Sequence, residues 1–121
     1  MSTPKIYLIE DDDVIAKTTQ WRLERLGYEL CGKSATGEEA IADIEKNLPD
    51  LILIDISLSG SMDGIEVGHT VKKRFNIPFL YLTAHEDADT IARAKATSPS
   101  GYIIKPFDDR NLKVAIEMAL R

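Results

Sequence analysis

The alternation of short apolar segments with longer helical patterns is the feature that most constrains how this chain can fold. Five segments are short, apolar and bounded by turn residues, as β-strands are. They cover residues 5–10, 28–33, 50–55, 78–83 and 101–105. The third contains the uninterrupted run LILI, which is typical of a strand that is covered on both faces.

A helical pattern follows each predicted strand. In the first pattern, Ile15, Thr19, Leu23 and Leu26 recur at helical spacing and Gly27 follows as a stop. The other four helices are predicted from Thr36 to Leu48, from Asp63 to Phe75, over 86–97 and over 109–120. Five βα units in this order predict one parallel sheet with helices on both faces, which binds ligands beyond the carboxyl ends of its strands.

Length and composition indicate a single domain and limit its partners. A chain of 121 residues can bury a core without disulfides, and we expect its one cysteine, Cys31, to be a small core residue. The net charge of −5 argues against binding to nucleic acid or to an anionic membrane. Because there is no signal-like segment and no membrane-spanning apolar run, we expect a cytoplasmic protein. We interpret residues 1–121 as one domain without an effector domain.

Acidic residues follow two of the predicted strands. Four of them, Glu10 to Asp13, come after the first strand, and Asp55 ends the third. A carboxylate at the end of the LILI run lies against a low-dielectric core, and a second one beside it calls for a cation. Carboxylate oxygens that leave room for water and phosphate suit Mg²⁺. We therefore assign Glu10 and Asp11 to a divalent ion, and Asp12 and Asp13 to the start of the first helix.

Two further strand ends carry side chains that suit phosphoryl transfer. Thr83 follows the fourth strand and Lys105 the fifth. A hydroxyl, an ammonium group and a metal ion can together stabilise a transferring phosphoryl group, and Asp55 can act as the nucleophile. Each residue alone is a weak indication, because strand-terminal Asp is often a cap and Lys before Pro is often merely exposed. Their convergence on one cleft indicates a phosphoaccepting site.

Short motifs stand at these strand ends and in one turn: IED at 9–11, LILID at 51–55, MDG at 62–64, YLTA at 81–84 and GYIIKPF at 101–107. Together they resemble the receiver domain of two-component response regulators. The resemblance covers essentially the whole chain. It implies a flavodoxin-like, doubly wound α/β fold of five βα units, with the parallel sheet order 2-1-3-4-5.

The resemblance also implies a function. Asp55 would accept a phosphoryl group from a histidine kinase or a histidine phosphotransfer protein, so the domain would be a phosphoacceptor rather than an enzyme. Mg²⁺ or Mn²⁺ would be held by Asp11, Asp55 and the backbone carbonyl of Ser57, with Glu10 acting through water. Lys105 would contact the phosphoryl group.

A conformational switch is implied as well. Thr83 would move towards the phosphoryl group, and Tyr102 would turn inward into the space that it leaves. On the residues alone, the favoured interpretation of Tyr102 is a half-buried aromatic side chain at a sheet edge. The peptide between Lys105 and Pro106 would be cis. The fourth helix, fifth strand and fifth helix would form the output surface and a homodimer contact.

One loop departs from the family pattern. Ser59 stands where these domains usually have a proline, and the loop through Gly60 and Ser61 is one residue longer. This leaves open the geometry at the Ser57 carbonyl, and hence the metal affinity, but not the identity of the acceptor. Ser57 and His85, each two residues after a site residue, are expected to modulate the phosphoryl lifetime. A solvated histidine at a helix start is the alternative for His85.

Two side chains of the predicted helices are placed by helical spacing. On a helical wheel Trp21 falls beside Val14 and Arg25, off the apolar stripe of the first helix. We favour a ring that covers the flank of the core over a contact with the phosphodonor. His69, inside the third helix, is expected on the surface.

Two other classes of protein share part of this pattern. A phosphatase of the haloacid-dehalogenase type also uses an Asp nucleophile, Mg²⁺ and a Lys, but it needs a second Asp where this chain has Ser57. A flavodoxin-like cofactor binder needs a phosphate-binding loop after the first strand. This chain has four acids there, and they would repel a phosphate.

Overall fold

The computed structural model describes residues 3–84 and 87–121, in which strands and helices alternate along the chain. The strands are β1 (Lys5–Ile9), β2 (Glu29–Ser34), β3 (Leu51–Asp55), β4 (Phe79–Thr83) and β5 (Gly101–Ile104). The helices are α1 (Asp13–Arg25), α2 (Gly37–Asn47), α3 (Gly64–Arg74), α4 (Ala88–Lys95) and α5 (Asp109–Ala119). The five predicted βα units are therefore confirmed.

The five strands form one parallel sheet in the order β2-β1-β3-β4-β5. This confirms the predicted flavodoxin-like, doubly wound α/β fold. The direction of winding reverses between β1 and β3, so a crevice opens there at the carboxyl ends of the strands. Every residue of β3 and β4 is buried, as expected of strands covered on both faces.

The strand side chains alternate between two apolar clusters on opposite faces of the sheet. On one face, Tyr7, Ile9, Ile52, Ile54, Phe79 and Tyr81 pack with side chains from α2, α3 and α4. On the other face, Ile6, Leu8, Leu51, Leu53, Leu80, Leu82 and Ile103 pack with side chains from α1 and α5. Both apolar clusters extend to the carboxyl ends of the central strands. Polar residues at these strand ends are therefore attached to closely packed, water-free parts of the protein.

The first acids of the sequence divide between the sheet edge and the helix start, as predicted. Asp12 is the N-cap of α1, and its Oδ1 accepts hydrogen bonds from the backbone N–H groups of Val14 and Ile15 at 2.9 and 3.0 Å. Asp13 lies in the first turn, where a carboxylate is favoured by the helix dipole.

Helix α1 turns a narrow face towards the sheet. Its buried residues are Ala16, Thr19 and Leu23, and Ile15 is half-buried. Trp21 is 65% exposed, so the prediction that its ring covers the flank of the core is wrong. The reason is geometric: Trp21 lies two residues from both Thr19 and Leu23, and at about 100° per residue it points to the opposite side of the helix.

Three other predictions concern the surface of the molecule. Cys31 is half-buried and packs against the first apolar cluster, because β2 is an edge strand and only partly covered. His69 is exposed on α3, as predicted. Within 3–84 and 87–121, none of the helices combines the length and the apolar character needed to cross a membrane.

Candidate functional site

The predicted site residues stand at the carboxyl edge of the sheet because each follows, or ends, a parallel strand. Glu10 and Asp11 come directly after β1, and Asp55 is the last residue of the adjacent strand β3. Thr83 ends β4, which pairs with β3 on its other side. Lys105 follows β5 and donates its backbone N–H to the carbonyl of Thr83 at 2.8 Å. Four neighbouring strand ends thus converge on one crevice.

Three of these side chains form a compact acidic cluster. One carboxylate oxygen from each of Glu10, Asp11 and Asp55 lies within 4.8 Å of the other two. Glu10 is only 4% exposed and Asp55 only 5%, whereas Asp11 is half-buried. Like charges at this separation in a desolvated site repel each other, so the cluster favours an arriving cation.

Lys105 offsets part of this charge. Its Nζ lies 3.0 Å from Glu10 Oε1 and 3.4 Å from Asp55 Oδ2. Burial and the hydrogen bond and charge of Asp55 raise the pKa of Glu10 to about 7, despite the opposing effect of Lys105. Burial lowers the pKa of Lys105, but its contacts with Glu10 and Asp55 outweigh that effect and raise it above the ordinary value. Lys105 therefore remains an ammonium group at neutral pH.

Backbone N–H groups orient the carboxylates. The N–H of Ser57 donates to Asp55 Oδ1 at 3.0 Å, and that of Ser59 donates to Asp11 Oδ2 at 3.1 Å. These donors come from the loop between β3 and α3, which folds back over the acidic cluster. Charge-assisted hydrogen bonds of this kind fix a carboxylate more firmly than neutral ones do. The cluster is thus held in position from the main chain.

Gly64 is a site residue whose role sequence reasoning missed, although it lies within the MDG motif. A Cβ at this position would be 2.1 Å from the carbonyl oxygen of Asp55 and 2.6 Å from Cα of Ile56. Its N–H also donates to the carbonyl of Ile56 at 3.1 Å. The start of α3 therefore rests directly on the main chain of Asp55, and only glycine allows this approach. The spacing of the motif in the sequence gives no sign of this contact.

Thr83 and Tyr102 lie on the paired strands β4 and β5. Thr83 is 3% exposed at the end of β4. The ring of Tyr102 stacks on that of Tyr81, with centroids 6.1 Å apart and planes at 29°. The Tyr102 hydroxyl is buried and, among the described residues, has no hydrogen-bond partner. Tyr102 is thus turned into the molecule rather than towards solvent.

Tyr81 is a further residue that the sequence did not single out. It is fully buried, and its hydroxyl lies 2.6 Å from Thr97 Oγ1. Because Thr97 Oγ1 in turn donates to the carbonyl of Ala94 at 2.7 Å, Tyr81 is the donor of the first bond. Gly68 leaves the space for this hydroxyl, since a Cβ there would be 2.0 Å from it. Tyr81 therefore ties Tyr102 to the end of α4.

Two other predicted features of the site have different outcomes. The peptide between Lys105 and Pro106 is cis. His85 lies outside the described residues, so its predicted influence on the phosphoryl lifetime stays a prediction.

The donor set fits a divalent metal ion. Glu10, Asp11 and Asp55 offer only oxygen ligands, and hard cations such as Mg²⁺ and Mn²⁺ prefer carboxylate oxygen. Three carboxylates against one ammonium leave an excess of negative charge in a largely buried site. The half-buried position of Asp11 leaves the cluster open on one side, where water and an incoming phosphate can complete a coordination shell.

Comparison with known families identifies the class of protein. The family described as response regulator receiver domain matches residues 6–117. This chain therefore belongs to the receiver domains of two-component response regulators, a family of signalling domains, as the sequence motifs predicted.

Individual relatives agree with this assignment. The alkaline phosphatase synthesis transcriptional regulatory protein PhoP of Bacillus subtilis is 33% identical over 118 residues, which cover 97% of this chain and 48% of PhoP. The transcriptional regulatory protein PdtaR of Mycobacterium tuberculosis is 30% identical over 116 residues, which cover 96% of this chain and 56% of PdtaR. The chain thus spans about half the length of these curated relatives.

A solved structure has the same fold as this chain and is closely similar to it. The signal receiver domain of a modulated diguanylate cyclase from Desulfovibrio desulfuricans is 36% identical to this chain. The two superpose with a TM-score of 0.93, and the match covers 98% of this chain and 94% of that one.

Proposed function

We propose that this receiver domain accepts a phosphoryl group on Asp55 from a phosphohistidine donor, in a reaction that requires Mg²⁺ or Mn²⁺. The observation that carries the proposal is the convergence of Glu10, Asp11, Asp55 and Lys105 at the carboxyl edge of the sheet. A carboxylate is a competent nucleophile towards phosphorus, and the surrounding charges suit the transfer of an anionic group.

Asp55, Lys105 and Ser57 have different roles in the proposed phosphoryl transfer. An Asp55 oxygen forms the new P–O bond while the P–N bond to the donor histidine breaks, and the electron pair leaves with the imidazole. The ammonium group of Lys105, held beside Asp55, offsets negative charge on the transferring group. The Ser57 N–H keeps the Asp55 carboxylate oriented during the attack.

Glu10, Asp11 and Asp55, together with the Ser57 carbonyl, are the residues that would hold the metal ion. When bound, a divalent ion supplies electrostatic stabilisation to the phosphoryl oxygens. Glu10 shares its ion pair with Lys105, so it would act on the ion most readily through water. The result is a mixed anhydride at Asp55 that carries about −1.5 to −2 charges where the folded protein had one.

The proposed readout follows from the neighbouring residues. The Thr83 hydroxyl gains a phosphoryl partner only after transfer, which biases the rim towards one of two arrangements. Tyr102 on β5 pairs with Tyr81 on β4, two residues before Thr83, and connects through Tyr81 to the end of α4. We assign the output surface to α4, β5 and α5, and the upstream partner to a histidine kinase or a histidine phosphotransfer protein.

Intact mass after incubation with acetyl phosphate tests the proposal. We expect a Mg²⁺-dependent gain of one phosphoryl group in the wild type and no gain in Asp55→Asn. Asp12→Asn is the matched control, because it removes a neighbouring charge while asparagine still caps α1. A gain that persists in Asp55→Asn, or one that is independent of metal, would contradict the proposal.

A further inference from the structure

The loop between β3 and α3 contacts the acidic cluster through a donor that the usual family sequence lacks. Ser59 stands where these domains usually have proline, and its backbone N–H donates to Asp11 Oδ2 at 3.1 Å. Proline has no N–H, so it could not make this bond. The side chain of Ser59 is exposed, which leaves the main-chain amide as its contribution to the site.

The loop is built to hold this amide in place. Ile56 and Leu58, each 7% exposed, belong to the apolar cluster beneath the loop and anchor its first half. Gly60 follows with φ of +100°, a conformation that favours glycine and turns the chain immediately after the donor. Ser61 Oγ then donates to Glu38 Oε2 at 2.6 Å, which fastens the far side of the loop to α2.

We propose that the Ser59 amide is a positioning group for Asp11, which fixes that carboxylate in the orientation that binds the metal ion. The proposal rests on the proposed function, because it concerns the affinity of the same metal site. The amide binds Oδ2 and so restricts the rotation of the carboxylate that lies beside Glu10 and Asp55. Asp11 is the more exposed of the two aspartates in the cluster, so without this bond its side chain has rotamer freedom to lose when the ion binds.

The direction of the effect follows from how metal ligands are supported. Ligating carboxylates are themselves hydrogen-bonded, and loss of such a supporting bond costs about 10- to 100-fold in metal affinity. The added loop residue and the serine would then strengthen the site through Asp11. The opposite is expected if the amide competes with the ion for the same oxygen, since its removal would then tighten binding.

Isothermal titration with Mg²⁺ separates these cases. Ser59→Ala removes the hydroxyl and keeps the amide, so it is expected to bind like the wild type. Ser59→Pro removes the amide and is expected to bind at least about 10-fold more weakly. Equal or tighter binding by Ser59→Pro would overturn the proposal. If the wild type itself does not bind Mg²⁺, the metal dependence in the proposed function fails instead, so the two failures are distinguishable.

A second variant covers the case in which Ser59→Pro does not fold. Replacement of the amide at position 59 by an ester, introduced by semisynthesis, exchanges the N–H for an oxygen and keeps the serine side chain. The same loss of Mg²⁺ affinity is expected, while circular dichroism confirms the folded state. Unchanged affinity in the ester protein would overturn the proposal on its own.

Discussion

The two ends of the sheet carry different kinds of unfavourable interaction. At the carboxyl end, Glu10 and Asp55 are charged groups with almost no exposure to solvent. At the amino end, the unfavourable feature is the backbone, because Leu48, Asn76 and Ser98 adopt positive φ in the turns that lead into β3, β4 and β5. These are the described non-glycine residues in that conformation.

The two unfavourable features differ in whether a substitution can remove them without changing the proposed site. Left-handed backbone at a helix end can be relieved by a glycine, as at Leu48, whose side chain is 62% exposed. The charges at the carboxyl end cannot be neutralised without loss of the groups that we propose to bind metal and accept phosphate. The carboxyl end is therefore expected to gain stability when its chemistry is removed or satisfied, and the amino end when its backbone is relaxed.

The largest expected loss of stability comes from a change at Gly64, which packs against the main chain of Asp55. Gly64→Ala places a Cβ against the main chain of Asp55 and should lower the free energy of unfolding by about 3 kcal/mol, because backbone cannot move aside as a side chain can. Urea denaturation measures this. Gly27→Ala is the control, since nothing lies within 4 Å of a Cβ there and the penalty is that of its φ of +91° alone, about 1 kcal/mol. Equal losses in the two variants would refute the close approach.

A pH titration of stability tests the electrostatic strain. The pKa of Glu10 is raised from 4.5 to about 7 in the folded protein, so the folded state binds the proton more tightly than the unfolded state. Without metal, the contribution of Glu10 to the free energy of unfolding should rise by on the order of 2 kcal/mol as the pH falls from about 7 to 4.5.

Glu10→Gln isolates that contribution. The difference in unfolding free energy between wild type and Glu10→Gln should change with pH over this range in the presence of a chelator. Saturating Mg²⁺ should reduce the change, because a bound cation favours the ionised carboxylate. A difference that is independent of pH would mean that Glu10 is not strained.

The tyrosine pair, Tyr81 in the middle of β4 and Tyr102 near the start of β5, extends the comparison to buried hydroxyl groups. Tyr102→Phe removes a buried hydroxyl that has no described partner, and we expect a gain of about 1 kcal/mol in unfolding free energy. Tyr81→Phe removes a hydroxyl that donates to Thr97, and we expect a loss of about 1 kcal/mol. The two variants make the same chemical change, so thermal unfolding curves that shift in the same direction would contradict this description of the pair.

The smallest expected effect lies at the amino end. Leu48 has φ of 31° and is 62% exposed, so Leu48→Gly should raise the unfolding free energy by about 0.5 kcal/mol through relief of the backbone. Ala96→Gly is the control, because Ala96 also caps a helix but has φ of −63°. There glycine should lower stability by up to about 1 kcal/mol. A loss at both positions would show that left-handed backbone is not what strains Leu48.

The sequence predicted the fold because the decisive signals are local. The LILI run and the helical spacing after each strand define five βα units, and strand ends place Asp55, Thr83 and Lys105 at one edge. The contacts that refine the site join separate elements of the fold, such as the loop at Ser59 with Asp11 and the start of α3 at Gly64 with Asp55. No spacing rule encodes them.

Trp21 shows a different limit of sequence reasoning. Its position on the helical wheel was compatible with a ring on the flank of the core or in solvent. In the structure, α1 packs on the sheet through other residues and the Trp21 ring is exposed. The exposed indole is thus free to contact a partner, the alternative that the sequence also allowed.

The most direct test of the central claim is to locate the phosphoryl group itself. Borohydride reduces an aspartyl phosphate to homoserine, so treatment of the phosphorylated protein followed by peptide mass spectrometry marks the acceptor. We expect Mg²⁺-dependent conversion of Asp55, with Asp11, Asp12 and Asp13 unmodified. Conversion at one of those three residues, or phosphorylation that leaves no reducible aspartate, would contradict it.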